Sequence, residues 1–180
     1  MPLTTYTAGE VLTAASLNAN LSFAASNPSS AVVQVKSTSK TDTFTLSSAT
    51  FTDITGLSVS ITPTSASNKI LVMVTVSTGA NATNAHLRLM RDSTAIGIAD
   101  ASSNRIRTTF ANQLNYDANM MSTGAANFLD SPATTSATTY KLQMAGPGAG
   151  QTTINRTANN NDTTSTANTI STITVMEVTP

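Results

Sequence analysis

One histidine, no cysteine and no tryptophan bound the chemistry open to this chain. A Ser-His-Asp arrangement needs an imidazole base, and His86 is the sole candidate. It alternates with Leu87 and Leu89 at strand spacing, which fits a surface or interface histidine better than a base. The Gly-x-Ser-x-Gly elbow that presents a nucleophilic serine is absent. The 9 acidic residues, Glu10, Asp42, Asp53, Asp92, Asp100, Asp117, Asp130, Asp162 and Glu177, are scattered singly. Glycoside hydrolysis requires two carboxylates facing each other across a substrate, and most of these Asp residues stand where turn chemistry alone favours them. No Cys or His pair offers a zinc site. Asn160-Asn161-Asp162 carries oxygens that suit calcium but lacks the spacing of a calcium loop, so it reads as a solvated loop. The expectation is a chain that is not an enzyme, with no catalytic residues, no metal and no cofactor.

Charge narrows the partners. Lys+Arg and Asp+Glu are 9 each, for a formal net charge of +0, and charged residues are only 10% of the chain. No basic stripe is present to draw in a phosphate backbone, so nucleic acid is not expected as a partner. A net charge near zero gives little protection from self-association. The sequons Asn81-Ala82-Thr83, Asn155-Arg156-Thr157 and Asn161-Asp162-Thr163 arise by chance in a chain this rich in Asn and Thr. Cysteine is absent, which fits assembly in a reducing cytoplasm. The first residues lack a basic region followed by an apolar one, so no secretory signal is expected. The longest apolar run, Ile70 to Val74, is too short to span a bilayer, and no membrane association is expected.

Thr makes up about one residue in five, well above ordinary usage, and suits the wet face of a strand without using charge. Strand patterns follow one another from Ala31 onward. Val32, Val33 and Val35 mark the first, and Thr43 to Leu46 a short second. Leu57 to Ile61 alternates cleanly. Pro63 and Ser65 to Asn68 form a turn. Lys69 to Ser77 is the strongest: Ile70, Val72, Val74 and Val76 point one way, and Leu71, Met73 and Thr75 the other. Apolar residues on both faces predict a central strand covered on both sides. His86 to Arg91 and Ala95 to Ala99 flank the turn residues Asp92-Ser93-Thr94. Residues 105 to 128 predict two strands and a long connection. Thr138 to Met144 and Thr169 to Val178 complete the set. Eight to ten short strands with no internal repeat predict an all-β fold, an antiparallel sandwich of jelly-roll type.

Met1 to Ser26 does not fit that pattern. Thr13 can cap a helix, and Ala14, Leu17, Leu21 and Ala24 then fall on one stripe. A helix this short with one apolar stripe needs a partner surface to be stable. Asn27-Pro28-Ser29-Ser30 ends it, because the residue before Pro avoids the helical region. The organisation predicted is an N-terminal docking arm over residues 1–26, a linker over 27–30 and one β-domain over 31–180. Val11, Leu12, Leu17, Leu21 and Phe23 are the candidate docking residues.

The arm sequence Tyr6-Thr7-Ala8-Gly9-Glu10-Val11-Leu12-Thr13-Ala14-Ala15-Ser16-Leu17-Asn18 resembles the N-terminal segment of many tailed-phage virion proteins, particularly head-fibre-like and tail-fibre-like ones. The stretch Phe51 to Pro63, continued by Ser67-Asn68-Lys69-Ile70-Leu71-Val72, is similar to the first half of a jelly-roll module found in those proteins. Ser171 to Val178 is similar to its closing strand. Residues 104 to 130 match nothing in that pattern. The module in turn resembles the tumour-necrosis-factor and complement C1q type of jelly roll, which implies a homotrimer.

That resemblance implies a virion structural protein on the exterior of the particle, assembled in the host cytoplasm. Its partners would be itself and either the major capsid protein or a tail component. Capsid decoration, as a cement protein, suits so short a chain. The alternative is a short tail fibre or spike tip that binds host surface glycans, for which Tyr116 and Tyr140 are the stacking candidates. Phe110, Tyr116, Met120 and Met121 exceed what one small sandwich would obviously bury, and are candidates for a trimer interface. Arg105 and Arg107, expected to alternate on one strand, are candidates for the same interface or for a solvated strand face.

Overall fold

Strand alternation decides which side chains meet in the interior. In the computed structural model, residues 8–9, 11, 13–26, 32–81, 84–113, 117–146 and 148–180 are described, with 22–26 as backbone only. Among the described residues, one helix, α1 (Ala14–Ser26), is followed by eleven strands. They are β1 (Val32–Lys40), β2 (Phe44–Leu46), β3 (Thr52–Ile61), β4 (Lys69–Ala80), β5 (Asn84–Arg91) and β6 (Thr94–Ile96), then β7 (Phe110–Gln113), β8 (Met121–Asp130), β9 (Thr138–Ala145), β10 (Thr152–Ile154) and β11 (Ser171–Val178).

The strands form two antiparallel sheets. In the first, β8 pairs with one edge of β4. The other edge of β4 pairs with β11 and then β10, and beyond these lie β1 and β2. The second sheet runs β3, β9, β5, with β6 and β7 sharing the far edge of β5. The chain crosses between sheets at β2 to β3, β3 to β4, β4 to β5, β7 to β8, β8 to β9 and β9 to β10. This is an all-β sandwich with jelly-roll connectivity, preceded by one short helix.

The core is the set of inward positions. Ile70, Val72, Val74 and Val76 of β4 and Ile173 and Val175 of β11 face Ile54, Leu57, Val59 and Ile61 of β3, Leu87 and Leu89 of β5, and Tyr140, Leu142 and Met144 of β9. Each aliphatic side chain buried in this way contributes about 1.5–3 kcal/mol relative to exposure. Phe110 and Phe128 seat their rings on backbone. A Cβ at Gly124 would meet Phe110 at 2.7 Å, and one at Gly97 would meet Phe128 at 2.9 Å, so both glycines are required by close approach.

Three expectations are corrected. β4 is central within its sheet, but among the described residues its second face is only partly covered: Leu71 and Met73 are half-buried and Thr75 is exposed. β6 ends at Ile96 instead of continuing to Ala99, because Gly97 adopts φ +57° beneath the Phe128 ring. Arg105 and Arg107 do not alternate on a strand. They lie in the connection between β6 and β7, where the Arg105 amide closes a turn onto the Ser102 carbonyl at 3.1 Å. Arg107 Nε donates to the Ala99 carbonyl at 2.7 Å.

Candidate functional site

The arm contains a capped helix, α1. Thr13 Oγ1 accepts from the Ser16 amide at 3.2 Å, and Ser16 Oγ donates to the Thr13 carbonyl at 2.9 Å. This satisfies a first-turn donor that would otherwise lack a partner. No residue of α1 carries a charge, and its leucines stand in solvent: Leu17 is 44% exposed and Leu21 58%, with Val11 just upstream also exposed. Leu12 lies outside the described residues, and of Phe23 only the backbone is described.

The candidate trimer residues differ in exposure. Phe110 is half-buried and packs on the core of its own sandwich. Met121 is half-buried and pairs with Gly79, whereas Met120 is exposed. Arg105 and Arg107 are exposed in their loop, and Tyr116 lies outside the described residues.

The two outer faces differ in kind. On the second sheet, polar side chains are tied to one another. Lys141 Nζ meets Asp53 Oδ2 at 2.6 Å, and Gln143 Nε2 donates to Asp53 Oδ1 at 2.7 Å. Arg88 Nε donates to Gln143 Oε1 at 2.8 Å, and its guanidinium lies 4.1 Å from the Phe51 ring centroid. The Lys141 contact, aided by Gln143, holds the Asp53 carboxyl below its usual range. His86 shares this face, half-buried, and burial lowers its pKa.

On the first sheet, register aligns apolar side chains from four strands. Leu71 pairs with Leu129 on one side and Met176 on the other, and Met176 pairs with Val35. Directly paired residues share a face, so Leu129, Leu71, Met176 and Val35 form a single row. The next row is Asn127, Met73, Thr174 and Ser37, and the one after it Ala125, Thr75, Thr172 and Ser39. Val35 is 49% exposed and Leu129 50%. Lys69, at the end of the sheet beside Val178, is the one charged residue in these rows and their immediate flank. The sequence held each of these residues, but not the register that lines them up.

The two most buried acids were not foreseen as such. Glu177 and Asp130 both pair with Ile70 and point inward at one end of the core. Among the described residues Glu177 has no cation partner. It accepts from Gln34 Nε2 at 2.6 Å, the Thr64 amide at 2.7 Å, Thr64 Oγ1 at 2.8 Å and Asn68 Nδ2 at 2.6 Å. Burial pushes its pKa up, but these four donors outweigh burial and bring it down to about 2. Asp130 is held by Arg91 Nη1 at 2.9 and 3.0 Å and by the Tyr140 hydroxyl at 2.7 Å. Burial, then this carboxylate, raises the tyrosine pKa. Both acids are engaged in closing the end of the sandwich. Tyr140 is fully buried, which removes it as a platform for stacking a sugar. Asn155 is buried too, with Nδ2 donating to the Lys40 and Asp42 carbonyls, so its sequon is not accessible.

A polar recess of about 290 Å³ opens in the connection between β10 and β11, lined by Arg156, Asn160, Asn161, Asp162, Thr163, Thr166 and Asn168 among others. Arg156 is held by the Thr157 carbonyl and Thr45 Oγ1. Among the described residues no group of three or more His, Cys, Asp or Glu is placed to hold a metal, and no helix is long and apolar enough to cross a membrane. No family model matches the chain, and no curated protein matches its sequence.

Proposed function

We propose that this protein is a non-enzymatic structural component of a tailed-phage particle. In this reading it is a homotrimeric jelly roll on the particle exterior, docked through its N-terminal arm, and acts as a capsid decoration or cement protein. The observation that carries the reading is the arm itself. α1 presents Leu17 and Leu21 to solvent from a capped, uncharged helix ahead of a sandwich that is already closed. A helix of this length keeps its fold by burying that stripe, and the major capsid protein (or a tail component) is the partner the sequence resemblance suggests. The jelly roll would add bulk and symmetry, and the arm the address.

The test is deletion of residues 1–26. The truncated chain should keep its β-rich circular dichroism and its trimeric mass, and should no longer co-sediment with particles. Co-sedimentation of the truncated chain with heads would overturn the docking role. A second reading, a short tail fibre or spike tip that binds host glycans, draws on the recess beside Asn161 and Asp162. Glycan-array binding that is lost on Asp162→Ala, with only a handful of copies per virion, would favour it. Hundreds of copies per particle and no array signal favour decoration.

A further inference from the structure

We infer that the recess between β10 and β11 takes one neutral, hydroxyl-rich unit such as a hexose, and that Asp162 excludes acidic ones. This rests on the glycan-binding reading above and deepens it, by naming the class of ligand and the residue that selects it.

The recess is built before any ligand arrives. The Asn161 carbonyl accepts from the Thr163 amide at 3.0 Å and from Thr166 Oγ1 at 2.6 Å, which closes the rim on itself. The Asn159 amide donates to the Ala118 carbonyl at 3.0 Å, and Asn159 Nδ2 donates to Asn119 Oδ1 at 2.9 Å. These bonds tie the rim to the connection ahead of β8. Arg156 braces the wall: Nη1 donates to the Thr157 and Ala158 carbonyls at 2.8 and 3.2 Å, and Nη2 to Thr45 Oγ1 at 2.9 Å. A ligand meets a site whose shape is already set.

The polar groups left over face the opening. The side chains of Asn160, Asn161, Asp162 and Thr157 line the recess and make no hydrogen bond among the described residues. Thr157 is the most informative of them, being only 3% exposed. Among the described residues the sealed hydroxyls without a partner are those of Thr152 and Thr169, so the Thr157 hydroxyl is reached from the recess. A hydroxyl in so buried a place gains from a partner that bonds to it.

The chemistry of these groups selects the ligand. Amides and a hydroxyl donate and accept, and the carboxylate accepts. Ligand hydroxyls match this set because each can do both. Ala167 is the one apolar residue in the lining, so an apolar ligand would bury little against it. The volume of about 290 Å³ stands at the small end for ligand sites and suits one ring. Charge decides between neutral and acidic rings. The Nη atoms of Arg156 already point at protein acceptors, whereas Asp162 is exposed and among the described residues has no cation beside it. An acidic ligand meets that carboxylate with no free guanidinium to offset it. Without an aromatic platform a single site binds weakly, with Kd on the order of 1 mM, and several copies on one particle raise the avidity.

The test uses the full chain, saturation-transfer NMR and calorimetry. The probes are D-glucose, D-galactose, D-mannose and N-acetyl-D-glucosamine, with D-glucuronate as the acidic one. At least one neutral sugar should bind, and glucuronate should bind more weakly. Asn161→Ala should weaken the neutral sugar about tenfold with unchanged circular dichroism. Asp162→Asn keeps the shape of the side chain and should raise the affinity for glucuronate relative to the neutral sugar about tenfold. Asp100→Asn, on the exposed β6–β7 connection, is the control and should change neither affinity.

Binding of a neutral sugar that is untouched by Asn161→Ala, or a ratio unmoved by Asp162→Asn, overturns the inference. A glycan-array signal confined to acidic glycans overturns it and leaves the glycan reading intact. No signal from any sugar or glycan overturns both.

Discussion

The two outer faces of the sandwich cover the same core and are built from similar strands, yet they handle water differently. The β3–β9–β5 face is organised by Asp53, Lys141, Gln143 and Arg88, each satisfied by a neighbour on the same surface. Among the described residues, the β1–β11–β4–β8 face has only hydroxyl pairs such as Ser37 with Thr174 in place of that charged network, and carries Leu129, Leu71, Met176 and Val35 in register. The first face satisfies its polar groups on its own surface, whereas the second aligns half-buried Leu71 and Met176 between exposed Leu129 and Val35.

The strongest way to break the comparison is to damage the shared end of the core. Asp130→Ala leaves the Tyr140 hydroxyl and Arg91 without their acceptor, and should cost about 3–5 kcal/mol in denaturant unfolding. Because β8 ends at Asp130, it should loosen Leu129 and the open edge more than the opposite face, as hydrogen exchange would show.

Next in size is acid. The Glu177 carboxyl is at about 2 when folded against an ordinary value of 4.5. A depressed acid stabilises above its unfolded pKa, and that contribution is lost as pH falls from about 4.5 towards about 2. The loss amounts to about 3 kcal/mol, of the order set by linkage. Glu177→Gln should flatten the pH dependence of unfolding over that window. An unchanged profile would mean that the four donors do not hold the ionised form.

Smaller still is Tyr140→Phe, which removes one hydrogen bond to Asp130 and should cost about 1 kcal/mol by thermal or chemical unfolding. Least of all is Asp53→Asn on the β3–β9–β5 face. Its pair with Lys141 is surface-exposed, and its loss should cost under about 1 kcal/mol, with the difference vanishing in high salt. A large, salt-independent loss there would show that the ion pair organises more than its own surface.

Most of the sandwich was legible because period-2 alternation reports burial directly. β3, β4, β5, β9 and β11 lie where Leu57-Val59-Ile61, Ile70 to Val76, Leu87-Leu89, Tyr140-Leu142-Met144 and Ile173-Val175 place them. The helix cap at Thr13 was legible for a similar reason, since capping is local. β10 was missed. Its three residues are too few to show a period, and they are placed by pairing with β4 and β2, distant in sequence. The spacing of Arg105 and Arg107 fits a strand, but spacing alone cannot distinguish a strand from a loop that turns on Ser102. Tyr140 looked available for stacking because its partners, Asp130 and Arg91, come from other strands.

The sequence by itself determined which residues of each strand turn inward, that the chain folds as an all-β sandwich, and that a separate helical segment precedes it. These follow from local periodicity and from the burial of apolar side chains. Only the tertiary structure decided which outer face carries the apolar row. Alternation assigns each side chain to one of two sides, but not the strand that will lie beside it. Residues 35, 71, 129 and 176 become one row through antiparallel register alone.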